Sequence, residues 1–265
     1  MTPTDWLIPD WPAPAVVKAV FTTRLGGCSI APWGSMNLGD HVGDAPKHVA
    51  ANRVALQQAI GSHPVFLKQV HGVSVATILA ATADGTLADA CVTTEPGLAC
   101  TIMVADCLPV LLTDTRGTAV AAAHAGWRGL AGTDKKGVLE AAFSNFQASN
   151  RPSGQSIDAR EAPEIIAWLG PCIGPKAFEV GAEVKAAFEA SQADATQFFA
   201  SSPNGKFLAD LAGLARARLK ALGIARIYGN DSTADWCTVG NPSRFFSHRR
   251  DAGVTGRMAA CIWLT

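Results

Sequence analysis

Neither sign of charge is in excess. The 265 residues hold 22 Lys and Arg against 22 Asp and Glu, whereas a chain that grips nucleic acid normally shows a clear basic surplus. Nucleic acid is therefore not an expected partner. No apolar run is long enough for a bilayer-spanning helix of about 20 residues, so no membrane role is expected. There is no Cys-x-x-Cys pair and no short-period repeat. The seven cysteines are odd in number and scattered, which fits reduced thiols in a cytoplasmic protein better than a disulfide framework. The opening MTPTDWLIPDWPAP, with two aspartates and four prolines, reads as neither a signal nor a transit peptide. The six histidines, at 41, 48, 63, 71, 124 and 248, include no His-x-His pair.

What is present is apolar. Hydrophobic residues make up 48% of the chain, enough for a substantial core, and no linker divides it, so residues 1–265 read as a single domain. Strands are predicted at Val16–Thr23, on both sides of a break at His71-Gly72 in VFLKQVHGVSVATI, and on both sides of the Glu95-Pro96-Gly97 turn. Further strands are predicted in EIIAWLGPCIGP, at Arg226–Tyr228 and at Arg257–Leu264. Helices are predicted over Asp44–Ile60, over Lys135–Phe146 with Thr133 as its cap, over Ala182–Ala190, and over Leu208–Leu222 with its arginines outward. The segments FQASNRPSGQSIDAREAP and SQADATQFFASSPNGK read as loops. Strands outnumber helices without alternating strictly with them, which favours an α+β fold with mixed sheets.

The stretch VADCLPVLLTDTRGTAVAAAHAGWRG, Val104–Gly129, reads as a hairpin turning at Asp114–Gly117. A tight turn centred between Thr115 and Arg116 sets Cys107 directly opposite His124. Opposed residues point to one face with Cβ atoms about 4.5–5.5 Å apart, a spacing that suits two ligands of one metal ion. His71, just before a glycine in LKQVHGVSV, is a third candidate. Together they would form an open His2Cys site with a fourth position for water or substrate, and such a site lowers the pKa of bound water towards about 7. A buried cysteine and a half-buried histidine in an alanine-rich sheet is the plain structural alternative.

The segments KQVHG, ADCLPV, HAGWRGL, GPCIGP and FFSHRRDAGVTGRMA occur in an order that resembles the YfiH family, from FTTRLGG to GRMAACIWL. That family is described variously as multicopper polyphenol oxidoreductase (laccase), purine nucleoside phosphorylase and peptidoglycan editing factor. The resemblance implies layered mixed β-sheets with flanking helices in a cysteine-hydrolase-like fold. It implies Zn2+ held by His71, Cys107 and His124, which would also be the catalytic residues. It further implies phosphorolysis of adenosine, inosine, guanosine and methylthioadenosine, and deamination of adenosine, with purine nucleosides and phosphate as partners. A laccase with one mononuclear copper and a trinuclear cluster needs many histidines, commonly in His-x-His pairs. Four coppers do not fit these six histidines, although a single copper on the same His2Cys set does.

Phosphorolysis needs an anion site. Arg24 with the amides of Gly26 and Gly27 in TTRLGGCS is one candidate, and Arg249 or Arg250 in SHRRD is another. Asn37 in SMNLGDHVGD is a candidate partner for ribose or base, and equally a turn residue. Gln69, two residues from His71, is expected on the pocket wall in preference to Lys68. Asp106 reads as a structural aspartate or a partner that orients a ligand histidine. Cys172 reads as a packed thiol or a cavity residue. Two other classes of function stay open. Cys107 and His124 could form a Cys–His amidase, and the peptidoglycan-editing role described for the family implies that it would act on a UDP-muramoyl amino acid precursor, releasing L-serine from UDP-MurNAc-L-serine. The chain could also be a non-enzymatic metal-binding scaffold.

Overall fold

In the computed structural model, residues 5–150 and 163–265 are described. In chain order these residues form β1 (Val17–Phe21), α1 (Pro46–Ile60), β2 (His63–Lys68), β3 (Val75–Thr77), β4 (Thr86–Leu87), β5 (Ala90–Thr93), β6 (Leu98–Val104), β7 (Leu108–Asp114) and β8 (Val120–Ala125). There follow α2 (Trp127–Ala131), α3 (Val138–Ser149), β9 (Ile165–Leu169), β10 (Glu179–Val180), α4 (Ala182–Ser191), β11 (Phe199–Ser202), β12 (Lys206–Ala209), α5 (Leu211–Ala221), β13 (Arg226–Gly229) and β14 (Met258–Leu264).

Two mixed sheets stack face to face, with strand orders β1-β14-β6-β2-β4 and β13-β9-β7-β8-β5-β3. Alternate residues decide which layer each strand face meets. Leu111, Ala122 and Trp168 pack against Ile102, Val104 and Met258 between the sheets. Val110, Leu112, Ala121 and Ala123 point the other way, onto Leu139 and Phe146 of α3 and Leu214 of α5. Leu56 and Ile60 of α1 cover the outer face of the first sheet, against Val20, Phe66 and Met103. This is the α+β arrangement of layered mixed sheets with flanking helices. Every residue of β7 and β8 is buried, and the alanines of β8 leave room for a layer on each side.

Local signals set several ends. Pro46 begins α1, where its missing N–H would have no partner anyway, and Gly61 at φ 67° ends it. The break at His71-Gly72 separates β2 from β3, which lie in different sheets.

Several expectations need correction. The hairpin pairs Leu108 with Ala125 and Pro109 with His124, so its register is two residues away from the tight-turn reading. The loop is longer because the Asp114 carboxylate accepts from the backbone of both Arg116 and Thr118, holding a wider turn. A shift of two preserves the face; a shift of one would not. Helix α3 starts at Val138, because Asp134 and Lys135 adopt φ of 51° and 64° and Glu140 caps the Gly137 N–H at 2.7 Å. The segment from Ser191 contains β11, which pairs with β12 beside β10 in a small third sheet. Residues 208–209 belong to β12, and Asp210 caps α5 by accepting from the Gly213 N–H. The arginines of α5 do not all face outward: Arg218 is buried and Arg216 donates to the carbonyls of Ile227, Gly229 and Asn230. Of the expected loop at Phe146–Pro163, the first residues extend α3 to Ser149 and residues 151–162 lie outside the described residues.

Candidate metal centre

Three chain segments deliver His71, Cys107 and His124 to one point. His71 follows β2 of the first sheet, Cys107 lies in the crossover from β6 to β7, and His124 stands on β8 of the second sheet. Their ligand atoms all fall within 4.8 Å of one another. The Cys107 Sγ is 3.7 Å from His71 Nε2, and the two imidazoles lie 4.7 Å apart at 69°.

A buried carboxylate arranges two of the three. Asp89 accepts from the backbone N–H of Val70, His71 and Gly72, the last two at 2.8 and 2.7 Å. These bonds hold His71 at φ 63°, a left-handed conformation that a histidine adopts only under constraint. The same Asp89 takes His124 Nδ1 at 2.9 Å, which leaves His124 Nε2 to face the other two ligands. Glycine makes the remaining space. A Cβ on Gly126 would stand 2.7 Å from His71 Cδ2 and 3.1 Å from Cys107 Sγ, and one on Gly129 would meet the Gly72 carbonyl at 2.6 Å.

The electrostatics favour a thiolate. Burial pushes the Cys107 thiol up, but the His124 charge and hydrogen bonds from both histidines outweigh it and bring it down to about 6. Burial likewise opposes a charge on His124, yet Cys107 and Asp89 raise it to about 9. For Asp89, burial is outweighed by the His124 and backbone hydrogen bonds, and its carboxyl stays below the usual range.

The donor set fits a borderline-soft ion. Zn–S and Zn–N bonds of about 2.3 and 2.0–2.1 Å at a tetrahedral angle place S and N roughly 3.5 Å apart, near the observed 3.7 Å. A ligand imidazole held by a carboxylate through its other nitrogen is the usual support for such sites. Thiolate and imidazole suit zinc or copper, not a hard cation. Among the described residues this is the one cluster of three such groups.

The three ligands border a cavity of about 250 Å³. Its lining includes apolar Met103, Trp127, Ile173, Phe178 and Leu211, the nitrogen-bearing side chains of His41, His248, Arg249 and Arg257, and Asp106, with Arg249 lying over the Phe178 ring. Gln69 and Arg249 are among the lining residues. Both ends of the Gln69 amide are spent on the Met103 backbone at 2.8 Å, so Gln69 shapes the wall. Arg24 and Asn37 do not line the cavity, which corrects both candidates. Arg24 donates to the carbonyls of Gly34 and Pro242 and stacks over Phe246, while Gly27 N–H donates to Ser35. Asn37 is fully buried and bonds to Gly39, Asp44 and the Arg257 N–H. Arg250 is turned to Asp251 and backbone carbonyls. Asp106 is structural. At φ 95° it accepts from Thr238 Oγ1 (2.5 Å), Ser247 Oγ (3.0 Å) and the Arg249 N–H (2.6 Å), fixing the turn that carries His248 and Arg249. Cys172 is packed and buried, with Asn230 at its sulfur.

Sequence reasoning missed Asp89, His248 and Arg257. Asp89 had a signal: a carboxylate set in the apolar run LADACV must find partners if that strand is buried. The other two carry no pattern of their own.

Residues 18–265 match the sequence model of a family described as multi-copper polyphenol oxidoreductase laccase. The chain is 48% identical to a Pseudomonas aeruginosa protein named purine nucleoside phosphorylase PA4543, over 98% of each chain. It is 46% identical to the Escherichia coli protein named purine nucleoside phosphorylase YfiH, over 97% of this chain and 98% of that one. The crystal structure of Neisseria meningitidis NMB0706 superposes with a TM-score of 0.86 at 46% identity, covering 98% and 99% of the two chains. That of YlmD from Geobacillus stearothermophilus gives 0.79 at 30% identity, covering 94% and 92%. Since both the family match and the fold extend over nearly the whole described chain, the protein is a member of the YfiH family of laccase-described proteins.

Proposed function

We propose that this protein is a zinc-dependent purine nucleoside phosphorylase that also deaminates adenosine. The observation that carries the reading is the convergence of His71, Cys107 and His124 at the edge of a cavity lined by both apolar and basic side chains. Relatives named purine nucleoside phosphorylase, at 40–48% identity, support it. Adenosine, inosine, guanosine and methylthioadenosine are the proposed substrates.

The apolar lining, with Trp127 and Phe178, takes the purine by burial and stacking. In phosphorolysis a phosphate oxygen bonds to ribose C1′ while the C1′–N bond breaks, its electron pair leaving with the base. The basic side chains keep the anionic nucleophile in place. Held by His71, Cys107 and His124, zinc would supply Lewis-acid stabilisation of developing negative charge and a bound water of lowered pKa. In deamination water replaces the exocyclic amino group of adenosine, giving inosine and ammonia. Asp89 keeps His124 Nδ1 protonated, so the imidazole presents its other nitrogen to the ion. Seven free cysteines and the lack of a bilayer-length apolar helix among the described residues fit a reducing cytoplasmic setting.

The test is Cys107→Ser with metal analysis. Bound zinc and phosphate-dependent release of hypoxanthine from inosine are expected to fall together, each by at least about tenfold, with circular dichroism unchanged. Copper at one equivalent in the native protein, with phenol oxidation, would replace the reading with a single-site oxidase.

A second reading rests on the lowered Cys107 thiol and its 3.7 Å approach to His71. A Cys–His amidase would use Cys107 as nucleophile and an imidazole as its base, on a UDP-muramoyl-L-serine amide. A metal-bound thiolate is a poor nucleophile. Amide cleavage that survives complete chelation would favour this reading over the zinc one.

A further inference from the structure

Several arginines are already committed to fixed partners. Arg53, Arg218, Arg226 and Arg250 each meet a carboxylate, and Arg24 and Arg216 spend all three nitrogens on backbone carbonyls. Arg257 is half-buried on the cavity wall and uses only Nη1, on the carbonyls of Thr255 and Gly256 at 3.1 and 3.2 Å. Among the described residues no hydrogen bond is made by its Nε or Nη2 and no carboxylate lies within ion-pair distance, although the nearby Cys107 and Asp106 charges favour its cation. The unbonded edge of this half-buried guanidinium is thus available to a ligand in the cavity.

The fold fixes this residue in place. Its backbone N–H donates to Asn37 Oδ1 at 2.9 Å and its carbonyl accepts from Leu38 at 3.0 Å. Its stem lies so close to Gly39 that a Cβ there would come within 2.7 Å of Arg257 Cγ. Arg249, which also lines the cavity, donates to the Glu179 carbonyl with Nη1 and is tied through its N–H to Asp106. His248 lines the same cavity.

We propose that Arg257, flanked by Arg249 and His248, anchors an oxyanion subsite in this cavity, and that its occupant is inorganic phosphate. The free Nε and Nη2 edge of a guanidinium matches two oxygens of a phosphate in a bidentate pair, the strongest neutralisation available to a buried arginine. The choice of phosphate among oxyanions rests on the phosphorolysis reading; the subsite rests on the geometry.

The experiment is a calorimetric titration of inorganic phosphate into the metal-loaded protein, with wild type, Arg257→Gln and Arg257→Lys compared. Charge-assisted hydrogen bonds contribute enough that Arg257→Gln is expected to weaken phosphate binding by about tenfold or more. Arg257→Lys, which keeps the charge and loses the fork, should restore part of it. Zinc content should stay that of wild type in both. Equal phosphate affinity in wild type and Arg257→Gln overturns the proposal, as does a wild-type protein that binds no phosphate. If Arg257→Gln fails to fold, Arg257→Lys decides: at least about threefold weaker binding supports the fork, and unchanged affinity overturns it. Steady-state kinetics separates this from the broader reading. Inosine cleavage that needs no phosphate refutes phosphorolysis yet leaves the binding comparison to judge the subsite, whereas phosphate-dependent cleavage with an unchanged phosphate KM in Arg257→Gln refutes the subsite alone.

Discussion

At the scale of the residue, Asp89 decides how two distant histidines share one point. One carboxylate oxygen takes both the His71 N–H and His124 Nδ1, and the other takes the Gly72 N–H. Asp89→Asn keeps the size but loses the charge and turns an amide donor towards backbone donors. Supports of this kind are worth roughly 10–100-fold in metal affinity, so zinc affinity is expected to fall by about that factor, measured by competition with a chromophoric chelator. An unchanged affinity would show that His124 is oriented without it. The three candidate ligands were legible as residue types, the two histidines close to glycines and the cysteine opposite one of them across a hairpin. Asn37 was misjudged for a physical reason: an asparagine in a Gly-Asp-rich loop looks alike whether its amide faces a ligand or closes its own turn, and only burial separates the two.

At the scale of the element, the β7–β8 hairpin shows what a pattern can and cannot fix. Apolar runs on both sides of polar turn residues made the hairpin readable. The register was not, because it depends on how many residues the Asp114 carboxylate gathers into the turn. Helix packing gives a second case. Arg218 of α5 donates to Glu140 of α3 at 2.9 Å, to the Ala131 carbonyl at the end of α2 and to the Lys135 carbonyl in the loop before α3, tying these helices together. Breaking a buried pair leaves the partner charge stranded, at a cost of about 3 kcal/mol or more. Arg218→Met is therefore expected to destabilise the fold by about that amount in urea unfolding, and adding Glu140→Gln should recover part of the loss. A loss below about 1 kcal/mol would mean that solvent screens Glu140 after all. Periodicity could not reveal this pair, since an arginine on a helix reads as solvent-facing until a second helix is laid over it.

At the scale of the whole molecule, the candidate centre sits where the two sheets meet. His71 comes from the end of one sheet, His124 from the other, and Cys107 from the strand-to-strand crossover between them. An ion held there would clamp the sheet ends as well as supply chemistry. Binding to the folded state alone stabilises by about 4 kcal/mol at a thousandfold excess over Kd, on the order of 10 °C in a chain of this size. Stripping the metal with a chelator is expected to lower Tm by about that much in calorimetry, and zinc should restore it. A Tm indifferent to both would show that the sheet ends are held by packing alone.

From the sequence alone came the class of fold, the positions of most strands and of four α-helices, the three candidate metal ligands, and the family. These follow from local periodicity, turn chemistry and residue type, which a linear chain displays openly. Tertiary structure alone decided that Asp89 joins His71 to His124, that Arg24 and Asn37 are consumed inside the fold, and that Arg257 brings a guanidinium with a free edge to the cavity. Those facts depend on which polar groups lose water together and find one another across some 20 to 220 residues of chain, and no local pattern encodes that.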